Sequence, residues 1–260
     1  MIKVENLSKA FNLSRQQRKE MNTTEKTIKA VDTISFQCKP GRIYSLLGPN
    51  GAGKTTTLRM IATILKPTSG TISVNNFDVL KQDEKVRRQI GFLTGSTGLY
   101  QRLTPNELVK YFADLYGVDP VTFKNRKEEL FTLLEMHDFA KKRIGHLSTG
   151  MKQKVAIVRT IIHDPAVVIF DEPTTGLDVI TAANIIKLIR QCKDDGKTVI
   201  FSSHIMSEVD MLCDDLAIIH KGRLCYASTM EEFRQQMQAP NLTEEFIRII
   251  NVSENTAKSI

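Results

Sequence analysis

Apolar residues recur along this chain in two rhythms, and the changes between them outline its organisation. Short apolar runs at Ile2–Val4, Ile34–Phe36, Ile43–Leu47, Thr71–Val74 and Ile90–Leu93 predict strands. The run at Ile43–Leu47 lacks alternation and ends at a glycine, as a buried parallel strand does. Thr55–Leu65 then has helical spacing and stops before Pro67.

The middle of the chain reads differently. Thr104-Pro105-Asn106-Glu107 offers an N-cap, a first-turn proline and a capping-box glutamate ahead of a periodic run to Tyr116. Lys127–Met136 and Met151–Ile162 follow as amphipathic helices, with few strand signals between them. A helical subdomain over about Thr94–Ser148, inserted into an α/β core, is the expected architecture. Beyond it the α/β alternation resumes. Ala166–Phe170 and Thr198–Ser202 predict strands, and Val179–Cys192 and Met206–Leu212 predict helices. Leu216–Ile219 and Leu224–Tyr226 predict a hairpin turning at Lys221-Gly222. Thr229–Gln238 and Thr243–Ile250 read as terminal helices, and the polar stretch Ser253–Ser259 as a frayed end.

Composition narrows the class. With 260 residues and 41% hydrophobic content, the chain can bury a core without staples. The cysteines, Cys38, Cys192, Cys213 and Cys225, form no C-x-x-C pair and no zinc spacing, so reduced thiols are expected. No stretch approaches the ~20 apolar residues of a membrane span, and the N-terminal residues lack a signal-peptide core. A secreted protein or a membrane pore is therefore not expected. The net charge of +7 admits a nucleic acid, a phosphate ligand or an anionic membrane face as partner. Part of it is local. Between Ser14 and Ala30, Arg15, Arg18, Lys19, Lys26 and Lys29 outweigh Glu20 and Glu25. A solvated loop is the favoured reading of this insertion, and a membrane-surface role is the second.

Two motifs carry chemistry. Gly48-Pro49-Asn50-Gly51-Ala52-Gly53-Lys54-Thr55 matches G-x-x-x-x-G-K-[ST] at every fixed position, between a predicted strand and a predicted helix. Glycines let backbone N–H groups converge on phosphate oxygens, and the helix offers its positive end to the same anion. In this setting Lys54 bridges β- and γ-phosphates, the Thr55 hydroxyl ligates Mg²⁺, and Thr56 donates nearby. The second motif is an apolar strand running into Asp171-Glu172-Pro173. Carboxylates at the carboxyl end of a buried strand stand where open α/β sheets bind ligands. Asp171 is the candidate metal ligand and Glu172 the candidate general base.

Further segments resemble one family. Leu147-Ser148-Thr149-Gly150-Met151-Lys152-Gln153 resembles the LSGGQ signature of ABC ATPases, departing at Thr149 and Met151. Thr175-Gly176-Leu177-Asp178 resembles their D-loop, and Ser202-Ser203-His204 their switch-histidine loop. Leu7-Ser8-Lys9-Ala10-Phe11 resembles the segment whose aromatic ring, here Phe11, stacks on adenine. The order of these motifs, over about Ile2–Glu232, identifies the chain as a member of the ABC transporter ATPases.

That resemblance implies an α/β P-loop core of mixed or parallel sheet, an N-terminal antiparallel β subdomain and the inserted helical subdomain. Residues 1–232 would form the ATPase domain and 233–260 a helical extension with a polar tail. It also implies ATP and Mg²⁺ as ligands, and two cassettes pairing head to tail, most simply as a homodimer. In that pairing Ser148 and Gly150 of one copy face the nucleotide on the other, His204 contacts the γ-phosphate and Asp178 couples the two sites. An integral-membrane permease is the implied partner, a place on the inner face of the cell membrane the implied location, and no specific nucleic acid is expected. Phe92–Tyr100 followed by Arg102-Leu103-Thr104 looks like the sodium-extrusion (NatA-type) branch of bacterial exporters. One departure stands out. The family places a glutamine after the strand at Ile90–Leu93, and this chain has Gly95 there, with a backbone carbonyl, Ser96 or Thr97 as the candidate stand-ins. Two rival readings are a soluble ABC ATPase acting on nucleic acid or ribosomes, and a nucleotide-gated regulator.

Overall fold

The computed structural model describes residues 1–20, 22–94 and 98–258, without the side chains of 256–258. Gly95, Ser96 and Thr97, where the missing glutamine is expected, lie outside the described residues.

Two sheets organise the chain. β1 (Ile2–Asn12), β2 (Thr27–Cys38), β4 (Ser69–Val74) and β5 (Phe77–Asp78) form an antiparallel sheet in the order β2-β1-β4-β5. β3 (Ile43–Leu47), β6 (Ile90–Leu93), β7 (Val167–Asp171), β8 (Thr198–Ser203), β9 (Asp215–His220) and β10 (Arg223–Thr229) form the second, ordered β10-β9-β3-β8-β7-β6. Its pairings are parallel except for the closing hairpin β9–β10.

Alternate residues of the parallel strands enter two different cores. Ile43, Leu47, Val168, Phe170, Val199 and Phe201 pack with the helices of the middle and C-terminal parts. Tyr44, Leu46, Val167, Ile169 and Ile200 pack with the antiparallel sheet and α2 (Lys54–Ile61). Burial on both faces is why these strands read as unbroken apolar runs.

Between β6 and β7 the chain is helical: α4 (Pro105–Leu115), α5 (Pro120–Leu133), two short 3₁₀ turns and α6 (Thr149–Ile161). The expected capping box is present, since the Glu107 N–H donates to Thr104 Oγ1 and the Thr104 N–H to Glu107 Oε2. α7 (Val179–Asp194), α8 (Met206–Leu212), α9 (Met230–Gln236) and α10 (Leu242–Lys258) complete the fold, with α3 (Asp83–Gln89) preceding β6. No helix among the described residues is long and apolar enough to cross a membrane.

The structure corrects three expectations. The insertion Ser14–Ala30 is not simply a loop. β1 and β2 run far past the short apolar cores expected for them, and the helix α1 (Arg15–Glu20) sits between them. Shifts in register between Val4 and Ala10 break the alternation that would have marked these strands. α5 starts at Pro120, well before the expected Lys127, because Asp119 caps it by accepting from the N–H groups of Val121 and Thr122. The tail is helical to Lys258, not frayed from Ser253. Glu254 accepts from Lys221 Nζ at 2.6 Å and meets His220 Nε2 at 2.8 Å, and these hydrogen bonds, that from Lys221 first, hold its carboxyl down at about 2.

Candidate functional site

The chain after β3 turns through Gly48–Gly53 and enters α2 at Lys54. Backbone contact dictates two of the glycines. A Cβ at Gly48 would stand 2.2 Å from the Ile219 carbonyl oxygen. At Gly53, where φ is +107°, it would stand 2.4 Å from the Ala30 carbonyl oxygen. The turn is thus wedged between β9 and β2, and the Gly222 N–H from the β9–β10 turn donates to the Ala52 carbonyl at 2.9 Å.

Lys54 is buried, and its Nζ donates to the carbonyls of Gly48 at 2.6 Å and Pro49 at 3.2 Å. Glu172 Oε1 lies 3.7 Å away. Burial lowers the Lys54 pKa, against the raising pull of Glu172 and Asp171. Asp171 ends β7 and is also buried. Its Oδ1 accepts from Thr55 Oγ1 at 3.1 Å and from Ser202 Oγ at 2.6 Å. Glu172 follows with φ +51°, the left-handed region that side chains other than glycine seldom occupy. Its carboxylate meets His204 Nδ1 at 3.4 Å and accepts from Thr175 Oγ1 at 3.4 Å.

Lys54, Thr55, Asp171, Glu172 and His204 therefore lie close together. Of these, Lys54, Thr55 and Glu172 line a cavity with Ala30, Asn50, Gly51, Ala52, Gly53 and Thr56 that measures only about 140 Å³. Ligand sites commonly run to about 300–1,000 Å³, so one chain offers only part of an enclosure for a nucleotide. A larger cleft, about 840 Å³ between α10, the β9–β10 hairpin and β2, contains none of these residues. Phe11 is half-exposed on β1 with Lys9 Nζ 5.2 Å over its ring, and does not line the small cavity. Its register partner Ile28 stands two residues from Ala30, which does.

Ser148, Gly150 and Asp178 gather elsewhere. Ser148 is the exposed N-cap of α6, accepting from the Met151 N–H. A Cβ at Gly150 would meet Thr181 Oγ1 at 3.5 Å and Asp178 Oδ2 at 3.7 Å. Asp178 caps α7, accepting from the Thr181 N–H at 2.9 Å and its hydroxyl at 2.8 Å, which keeps its carboxyl below the usual range. Val179 beside it is 86% exposed and Ile180 69%. Signature and D-loop thus form one outward patch. Gln153 Nε2 on α6 ties this patch to the Asp171–Glu172 turn by donating to the Pro173 carbonyl at 2.8 Å.

Sequence reasoning did not assign three supporting groups. Ser202 holds Asp171 and also accepts from the Glu172 N–H at 3.1 Å. Buried Glu208 accepts from Ser203 Oγ at 2.8 Å and from Thr174 Oγ1, locking the histidine loop to the turn after Glu172. The signal for Ser202 and Ser203 was polar residues closing an apolar strand; for Glu208 it was absent.

A strand–glycine turn–helix cradle beside a strand ending in two carboxylates defines a P-loop nucleotide hydrolase. The chain belongs to the ABC transporter family, whose model matches residues 31–175. It is 46% identical over 225 residues to the ABC transporter ATP-binding protein NatA of Bacillus subtilis, covering 86% of this chain and 91% of that one. It is 39% identical over 197 residues to the bacitracin transport ATP-binding protein BcrA of Bacillus licheniformis, covering 75% and 63%. Among solved structures, an ATP-binding subunit of an ABC transporter superposes with TM-score 0.83 at 27% identity, over 96% of this chain and 99% of that one. The ATP-binding cassette MJ0796, a dimer bound to ADP and Pi after hydrolysis, gives 0.77 at 27% identity, over 88% and 99%. This chain is an ATP-binding and ATP-hydrolysing subunit of an ABC transporter.

Proposed function

We propose that two copies of this chain enclose ATP head to tail and that the cycle of closure and release drives export through a separate permease. The observation behind this reading is the split of the motif residues into a small buried cleft and an outward patch. Each half is incomplete alone. The patch offers the positive end of α6 at Ser148 and Gly150, suited to a γ-phosphate held by another copy. Asp178 beside it lies where it could report one site's state to the other. Phe11 is the ring that would stack on adenine.

The Thr55 hydroxyl and the Asp171 carboxylate, 3.1 Å apart, are hard oxygen donors that suit Mg²⁺. When bound there, the ion would offset charge on the β- and γ-phosphates. Lys54 gives up its carbonyl partners for phosphate oxygens. Glu172 accepts a proton from the attacking water as its oxygen bonds to the γ-phosphorus. The bond from that phosphorus to the β-bridging oxygen breaks, leaving ADP and phosphate. His204, already against Glu172, holds that carboxylate and the γ-phosphate in register.

The permease is the source of solute selectivity. A surface pocket lined by Leu99, Tyr100, Gln101, Arg102, Leu103 and Tyr111 supports contact with such a partner at the inner membrane face. Likeness to NatA favours Na⁺ as the exported solute. Residues 1–232 are assigned to the ATPase unit and 233–260 to a C-terminal extension.

Glu172→Gln tests the reading. It is expected to bind ATP normally and to hydrolyse it at least ~100-fold more slowly, the scale of a lost general base. Phosphate release at the parent rate would remove the base assignment. For the solute, ATP-dependent ²²Na⁺ movement in vesicles carrying the chain and its permease supports sodium, and solute-independent ATP turnover without ²²Na⁺ movement refutes it.

A further inference from the structure

Ser202 stands where the two carboxylates of the site meet the core, and nothing in the reaction as described above uses it. It is fully buried at the end of β8, opposite Asp171 in the parallel β7–β8 register. The Glu172 N–H is a donor only, so it directs its 3.1 Å bond at a lone pair of Ser202 Oγ. The serine proton is thereby free to point at Asp171 Oδ1, 2.6 Å away, the shorter of the two bonds. Thr55 Oγ1 donates to that same Oδ1. A continuous chain of bonds therefore runs from Thr55 in the P-loop through Asp171 and Ser202 to the backbone of Glu172.

We propose that Ser202 is a positioning residue for ATP hydrolysis, its hydroxyl fixing the Asp171 carboxylate and the backbone of Glu172 relative to each other. This rests on the roles given to Asp171 and Glu172 above. Glu172 occupies a left-handed backbone conformation, φ +51°, that is unfavourable for a non-glycine residue and persists only when its surroundings hold it. The Glu172 N–H also donates to the Ser202 carbonyl at 3.2 Å, so serine 202 grips that amide twice. Removing the hydroxyl leaves one of the two grips and leaves Asp171 Oδ1 with the longer bond from Thr55 Oγ1. A change at Thr55 and Asp171 when the nucleotide arrives is passed to the base through this hydroxyl, with no side chain of Glu172 involved.

The test uses the purified full chain and two substitutions. Ser202→Ala removes one oxygen from a packed site and should fold. Its kcat is expected to fall about tenfold at saturating ATP and Mg²⁺. Calorimetric ATP affinity in EDTA should stay within twofold. The gain in affinity on adding Mg²⁺, measured in a Glu172→Gln background so that nothing is hydrolysed, should shrink severalfold. Ser202→Thr keeps the hydroxyl and should recover most of both losses. Parent kcat together with a parent Mg²⁺ gain in Ser202→Ala overturns the proposal. So does an equal loss of ATP affinity with and without Mg²⁺, which marks general damage to the fold. Glu172→Gln alone separates the two readings. If it hydrolyses normally, the base assignment fails and takes this proposal with it. If it is inactive while Ser202→Ala matches the parent, only the role of Ser202 fails.

Discussion

The P-loop cleft and the signature patch both present groups suited to phosphate, but they are built in opposite ways. In the cleft, Asp171 and Ser202 are buried and bonded to each other, and buried Lys54 is bonded to the carbonyls of Gly48 and Pro49. Each polar atom removed there strands another, at a cost of about 1–3 kcal/mol for an orphaned buried group. On the patch, Ser148 and Asp178 bond, among the described residues, to the first turns of their own helices, and exposed Val179 and Ile180 lie alongside. Nothing within the chain closes over them among the described residues. A site satisfied internally works on whatever enters it. A patch arranged but uncovered needs a second surface. The two halves of one ATP site, on this view, are carried at two places on every copy.

That contrast can be broken at either end, and the largest effect is expected in the cleft. Glu172→Gln, which loses the proposed base and keeps the shape, should nearly abolish hydrolysis in a phosphate-release assay while leaving ATP bound. Lys54→Ala comes next. It removes charge-assisted bonds worth about 1.5–3 kcal/mol each, so ATP affinity by calorimetry should drop roughly 10- to 100-fold; unchanged affinity would remove the cradle assignment. Ser148→Arg acts at the other end. It should leave monomer affinity for ATP within about twofold and prevent ATP-driven pairing, and equal damage to monomer binding would place the signature at its own chain's cleft. In its exposed N-cap position the same change should cost only about 1 kcal/mol of stability.

The smallest effect is one of pH. The bonds from Thr181 keep the Asp178 carboxyl below its ordinary range in the folded chain. The unfolded chain therefore takes up the proton first as pH falls. The stability that Asp178 lends is present above its unfolded pKa near 4 and is lost as pH drops through the lower folded value. Asp178→Asn should flatten the acid side of the Tm profile slightly. An unaltered profile would show the cap to be absent in solution.

The parallel strands, the P-loop, the α4 capping box and the closing hairpin are all readable from the chain, because each couples a local signal to burial. β3 and β7 are apolar at nearly every position since both faces are covered. The long arm of β1 and β2 was not readable. Its outer residues are exposed and its register slips, so neither periodicity nor hydrophobicity marks them. α3 escaped because it buries only Val86 among seven residues. Asp119-Pro120 did signal the start of α5, and the later apolar run at Lys127 obscured it. The tail looked frayed because the bonds that order it come from Lys221 and His220, far away in sequence. In the site, motif residues were identifiable by type and spacing. Their supports Ser202 and Glu208 were not, since what they touch is set by the β7–β8 register and by the packing of α8.

Sedimentation of the Glu172→Gln chain with and without ATP tests the shared-site claim most directly. A monomer without nucleotide and a dimer with it, the dimer disappearing when Ser148→Arg is added, is the predicted result. A chain that stays monomeric with ATP, alone and with its membrane partner, or a dimer indifferent to Ser148→Arg, would contradict it.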